Sequence, residues 1–130
     1  MKTILVVDDE EHILKLYQKV LVDDGFQVKL AKSGEQAIQM AKEEEVNLVV
    51  LDIKMEGLSG LETLAELRKN KRNMPIILNS AYSTYKSDFQ SWLADAYLVK
   101  SANVDELRIK VHELLQEAPL QLEKWIGKKA

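Results

Sequence analysis

The amino-acid sequence predicts a doubly wound α/β domain, with a parallel sheet held between two layers of helices. Two observations carry this. Short, nearly continuous apolar runs recur along the 130 residues, and each is followed by a longer stretch of helical period. Strands separated by helix-length crossovers lie parallel in right-handed βαβ units. Parallel strands covered on both faces are apolar almost throughout, and these runs have that character.

The first strand is Thr3-Ile4-Leu5-Val6-Val7. A helix follows, with Ile13, Leu14, Tyr17, Val20 and Leu21 at helical spacing and Gly25 as its stop after Asp24. Residues 26–31 alternate more, and Lys29 interrupts them, which suits a strand nearer an edge. The second helix is entered through Ser33, with Gln36 three residues on in a capping-box pattern, and presents Ala37, Ile38 and Ala41. Leu48-Val49-Val50-Leu51 is the third strand, and Leu58, Leu61, Leu64 and Ala65 mark the next helix. Residues 74–78 form the fourth strand. Residues 84–93 make a short, Ser- and aromatic-rich fourth helix. Ala96-Tyr97-Leu98-Val99 closes the sheet, and Val104, Leu107, Val111, Leu114 and Leu115 define the last helix. Pro119 ends that pattern, so the domain is expected over 1–118, with 119–130 a tail or an extension of the last helix.

An apolar content of 46% is enough for a real core, and the net charge is only −3 with both signs interspersed. No basic stripe points to nucleic acid, although Lys124, Lys128 and Lys129 make the extreme C-terminus basic. With no cysteine, disulfides and thiolate metal sites are excluded. The opening apolar run is too short for a signal peptide, and no segment has the roughly 20 apolar residues a membrane helix needs. The expectation is a soluble, cytoplasmic protein.

The informative residues follow the buried strands. After the first come Asp8-Asp9-Glu10-Glu11, and the third ends at Asp52. The fourth leads into Asn79-Ser80, and the fifth into Lys100-Ser101. In doubly wound folds, polar residues at the carboxyl ends of strands gather where ligands bind. Three carboxylates brought together repel, and their pKa values rise unless a cation intervenes. A hard cation with oxygen ligands resolves this, and Mg²⁺ takes only one or two protein carboxylates. Lys100 supplies a second positive charge, so the set is suited to a phosphoryl group, with Asp52 as nucleophile at the end of the central strand. Taken singly, each residue has an ordinary explanation: an acidic N-cap at Asp8-Asp9, a turn residue at Asp52, a loop hydroxyl at Ser80, a solvated charge at Lys100. Their joint placement at four strand ends is what points to one site.

Here the chain resembles the receiver domain of response regulators in two-component signalling, over roughly residues 1–117. Ile4-Leu5-Val6-Val7-Asp8-Asp9-Glu10 looks like that family's opening strand and acidic pair. Leu51-Asp52-Ile53-Lys54-Met55, with Gly60 eight residues after the aspartate, resembles its phosphoacceptor segment. Ser80-Ala81 looks like the switch hydroxyl and its small neighbour, and Tyr97 with Lys100 matches the switch aromatic and lysine. The resemblance implies a flavodoxin-like five-stranded sheet of order 2-1-3-4-5. It implies Mg²⁺ on Asp9, Asp52 and the Lys54 backbone carbonyl, with Asp8 acting through water. Lys100 and Ser80 would hold the phosphoryl oxygens, and Tyr97 would turn inward as the Ser80 loop shifts. The implied partners are a sensor histidine kinase or phosphotransfer protein and an unidentified effector. The latter would read the fourth helix, fifth strand and last helix, and a phosphorylation-dependent homodimer is among the outcomes allowed.

Several positions depart from the family pattern. Glu56 stands where the phosphoacceptor loop usually has proline, which predicts a looser turn. Ser101 replaces the proline after the lysine; a cis Lys100–Ser101 bond would cost about 2.5–4 kcal/mol, yet it is the expected form because it aims the lysine. Tyr85, Phe89 and Trp92 can share a helical face that either packs into the core or docks a partner. Tyr82 and Lys54 flank the path of hydrolytic water, and by analogy tune the phosphoryl lifetime; the bulky Tyr82 predicts slow self-dephosphorylation. A phosphatase of the haloacid-dehalogenase type would carry a second aspartate two residues after the nucleophile, where this chain has Lys54. A receiver-like module that signals without phosphate is disfavoured by the intact acidic, hydroxyl and lysine set. His12 and His112 are expected at the surface. No output domain follows within these residues, so the chain is either a stand-alone receiver or part of a larger regulator.

Overall fold

The structure, a computed structural model, describes residues 1–81, 93–100 and 104–116. Its strands are β1 (Thr3–Val7), β2 (Gln27–Ala31), β3 (Leu48–Leu51), β4 (Ile76–Ser80) and β5 (Ala96–Val99). The helices among the described residues are α1 (Glu11–Asp23), α2 (Gly34–Glu43), α3 (Gly60–Asn70) and α4 (Asp105–Leu115). The helix expected over 84–93 falls almost wholly outside the described residues, as do Ser101 and the tail. All neighbouring strands pair in parallel, in the order β2-β1-β3-β4-β5. That is the order the family resemblance implied. The chain reverses its winding at β1, so the crevice between β1 and β3 is the switch point where such folds bind ligands.

Strand alternation divides the core in two. Leu5, Val7, Val49, Leu51, Ile76 and Leu78 pack with Ala37, Ala41, Leu61, Leu64 and Leu67 beneath α2 and α3. Ile4, Val6, Leu48, Val50 and Ile77 pack with Leu14, Tyr17, Leu21, Leu107 and Val111 beneath α1 and α4. Each fully buried aliphatic side chain of this kind contributes about 1.5–3 kcal/mol. The edge strand β2 is only partly covered, and its Lys29 pairs with Glu44.

Local chemistry corrects four details of the sequence-based expectation. The second strand begins at Gln27, because Phe26 turns into the α1/α4 core. The fourth strand spans Ile76–Ser80, two residues later than expected, so Asn79 and Ser80 lie within the sheet. Ser33 caps α2 by accepting from the Gln36 N–H at 3.1 Å, but the Gln36 amide oxygen accepts from Lys32, one residue before the cap. The complete capping box is at α3 instead, between Ser59 and Glu62. Finally, His12 is exposed as expected, whereas His112 is only 4% exposed. Its ring stacks obliquely on Phe26 at 4.8 Å, and Nε2 lies 3.5 Å from Asp24. Arg108 holds the same buried Asp24 through two nitrogens, at 2.5 and 3.0 Å, and this joins α4 to the end of α1.

Candidate phosphoacceptor site

Asp8 leaves β1 with its N–H donating to the Ala31 carbonyl at 3.1 Å, and its carboxylate is buried. One carboxylate oxygen accepts from the Glu10 N–H at 2.9 Å; the other accepts from Lys100 Nζ at 2.7 Å. The N-cap of α1 is Glu10, with no side-chain cap bond, so neither Asp8 nor Asp9 is there to cap the helix. Asp9 is exposed, and lines an open groove with Lys54, Met55 and Glu56.

Asp52 is fixed by its N–H, which donates to the Val7 carbonyl at 3.0 Å. Its carboxylate is 5% exposed and lies 3.2 Å from Lys100 Nζ. Burial, followed by the charge of Asp8, pushes its pKa from 3.8 up to about 6, with Asp9 adding to the rise and Lys100 opposing it. Burial works against the charge of Lys100. The hydrogen bond to Asp8 and the carboxylate of Asp52 outweigh it, so the ammonium is held above its ordinary pKa. A buried carboxylate pair sharing one lysine is under-neutralised.

Gly60 shows why the loop after Asp52 has its shape. Its N–H donates to the Ile53 carbonyl at 2.7 Å. A Cβ there would stand 2.0 Å from the Asp52 carbonyl oxygen and 2.5 Å from Ile53 Cα. Only glycine lets α3 start this close to the Asp52–Ile53 backbone.

Ser80 is buried at the end of β4, and its carbonyl accepts from the Lys100 N–H at 2.6 Å. The two residues are therefore neighbours across the sheet. Ala81 is exposed; Tyr97 is half-buried against the α2/α3 side of the core. Thus Asp8, Asp52 and Lys100 meet, Ser80 flanks them, and Asp9 with Lys54 forms the rim. Tyr82, Tyr85, Phe89, Trp92 and the Lys100–Ser101 bond lie outside the described residues.

Two supports were missed in the sequence. The Arg68 guanidinium donates to the carbonyls of Arg72, Met74 and Leu93 and to Asp95, whose carboxylate also accepts from the Ile76 N–H. This sets where β5, and hence Tyr97 and Lys100, begins. Asn79 donates to the Tyr17 hydroxyl at 2.7 Å. An amide in an apolar strand signals a buried partner, but it does not name it.

The donor set suits a hard cation. Asp8, Asp9 and Glu10 each offer a carboxylate oxygen within 4.8 Å of the others, and Asp52 lies close enough for Asp9 to raise its pKa. Oxygen donors with an excess of negative charge are the ligands Mg²⁺ takes.

Fold and site together define a doubly wound α/β domain with a buried carboxylate pair and a lysine at the switch point of its sheet. Residues 4–112 match the response regulator receiver domain, and the chain belongs to that family. It is accordingly a module of two-component signalling and not a turnover enzyme, which sets aside the dehalogenase-type alternative. It is 49% identical to response regulator TrrA of Thermotoga maritima, whose crystal structure is a complex with Mg²⁺–BeF; the TM-score is 0.86, over 88% of this chain and 99% of that one. A structure of histidine kinase ThkA in complex with TrrA matches at 50% identity and TM-score 0.84, over 88% and 99% of the two chains. Transcriptional regulatory protein PhoP of Bacillus subtilis is 35% identical over 92% of this chain and 50% of its own length. YrkP of the same organism is 37% identical over 93% of this chain and 52% of its own length. The chain thus spans about half the length of these two curated relatives.

Proposed function

We propose that Asp52 accepts a phosphoryl group from the phosphohistidine of a sensor kinase or phosphotransfer protein, with Mg²⁺ held by Asp9, Asp52 and the Lys54 carbonyl, and Asp8 acting through water. The observation that carries this is the meeting of groups from three strand ends: Lys100 Nζ lies 2.7 Å from Asp8 and 3.2 Å from Asp52. A carboxylate oxygen of Asp52 attacks phosphorus; the new P–O bond forms as the donor's P–N bond breaks, and the electron pair returns to the histidine ring. When bound, Mg²⁺ neutralises charge on the transferring oxygens. Lys100 then exchanges carboxylate for phosphoryl oxygen, Ser80 donates to another, and Tyr97 follows the shift of the Ser80 segment.

The relatives support the partners and the ion: TrrA is seen with Mg²⁺–BeF and in complex with the kinase ThkA. The domain proposed is 1–118. The family match to residue 112 and the left-handed cap of α4 at Gln116 support that limit. A cytoplasmic location fits a phosphoryl chain fed by ATP, and no helix among the described residues is long and apolar enough to cross a membrane. Tyr82 and Lys54 are proposed to limit access of hydrolytic water. The effector surface is proposed to be β5, α4 and the segment carrying Tyr85, Phe89 and Trp92. The test is incubation with acetyl phosphate. Uptake of one phosphoryl group with Mg²⁺, and none after chelation, is the expected result; uptake indifferent to Mg²⁺, or steady turnover of the donor to free phosphate without a phosphoprotein, contradicts it.

A further inference from the structure

Asn79 immediately precedes Ser80, yet its side chain points to the opposite face of the sheet. There its amide donates to Tyr17 Oη at 2.7 Å, across 62 residues of sequence. Both residues are 4% exposed, so each removes from water a polar group that is satisfied within the protein. Tyr17 lies on the buried face of α1, its ring in the apolar cluster that includes Leu14, Leu21 and Val111. An apolar pair would fill this space with less desolvation; a hydrogen bond instead fixes direction and distance. The strand it fixes is the one whose last carbonyl, that of Ser80, receives the Lys100 N–H at 2.6 Å. Tyr17 is also near enough to the site for Lys100, Asp8 and Asp52 to act on its hydroxyl electrostatically.

We infer that Tyr17 and Asn79 form a positioning pair that holds the carboxyl end of β4, and thereby sets Ser80 against the phosphoryl group without touching it. The inference rests on the role given above to Ser80. The effect is selective, because the proposed metal ligands come from the ends of β1 and β3 while the pair acts on β4. Losing it weakens the hold on phosphoryl and leaves the hold on the cation.

The experiment is calorimetric titration of the full chain with Mg²⁺ alone, and then with beryllofluoride at saturating Mg²⁺, on wild type and Tyr17→Phe. A hydrogen bond contributing about 1 kcal/mol corresponds to about a fivefold change in affinity. The expected result is a beryllofluoride affinity about fivefold weaker in Tyr17→Phe, with Mg²⁺ affinity within about twofold of wild type by the same scale. Unchanged beryllofluoride binding, or equal losses for both ligands, overturns the pair's positioning role. Replacing both partners by apolar groups avoids an orphaned amide, so Tyr17→Phe/Asn79→Leu folds even where the single variant does not. The double variant must show the same selective loss, and wild-type-like beryllofluoride affinity in it overturns the inference. Failure of the wild-type protein itself to bind beryllofluoride overturns the phosphoacceptor assignment, and the positioning role falls with it.

Discussion

Lys100 lies closer to Asp8, at 2.7 Å, than to Asp52, at 3.2 Å. The lysine is the one side chain described between two buried carboxylates, and its backbone N–H is tied to Ser80. Removing it leaves both carboxylates uncompensated. Lys100→Met is therefore expected to destabilise the Mg²⁺-free protein by about 3 kcal/mol at neutral pH, since breaking a buried ion pair strands the remaining charge. Urea unfolding checks this, and saturating Mg²⁺ should recover part of the loss.

Burial of Asp52 gives the stability of the fold a pH dependence whose sign follows from its raised pKa. Its folded-state pKa is raised to about 6 from 3.8, so the folded protein binds this proton more tightly than the unfolded chain does. The stabilising contribution is full below about pH 4 and is lost as pH rises through about 6. Asp52→Asn never ionises there. Without Mg²⁺ it is expected to be more stable than wild type by up to about 3 kcal/mol at pH 7.5, since one pKa unit is about 1.4 kcal/mol. The difference should shrink toward zero at pH 4. Chemical denaturation at the two pH values checks both the size and the sign.

Gly60→Ala places a methyl group on the Asp52 carbonyl and the Ile53 backbone. Backbone cannot yield as a flexible side chain does, so the loss should reach the upper end of overpacking costs, about 3 kcal/mol. Mg²⁺ affinity should fall with it, because the displaced segment carries Asp52 and Lys54. Thermal unfolding and Mg²⁺ titration of the same variant read the two effects.

Arg108→Ala should separate stability from site chemistry. Arg108 neutralises the buried Asp24 at the far end of α1, and its removal should cost about 3–5 kcal/mol. Mg²⁺ affinity of the folded fraction should stay unchanged, as checked by titration below the unfolding transition.

The strands were legible because buried parallel strands leave long apolar runs, and the acids of the site were legible because they end those runs. Asp8, Asp52 and Lys100 could be placed at one rim by topology alone. What escaped were pairings set by tertiary register: Tyr17 with Asn79, Asp24 with Arg108, and Arg68 with Asp95. Nothing local to Arg68 announces that it will bridge α3 to the start of β5. His112 was misplaced for a related reason. The buried face of α4 is wider than its aliphatic stripe, because Phe26 and Asp24 receive the ring from the neighbouring elements. The boundary of β4 moved because Asn79, a polar residue, continues a strand through its bond to Tyr17.

The most direct test of the account is intact-mass measurement after incubation with acetyl phosphate and Mg²⁺, on wild type and Asp52→Asn side by side. Wild type should gain one phosphoryl group and Asp52→Asn none. A phosphoryl group retained by Asp52→Asn, or absent from wild type, would contradict it.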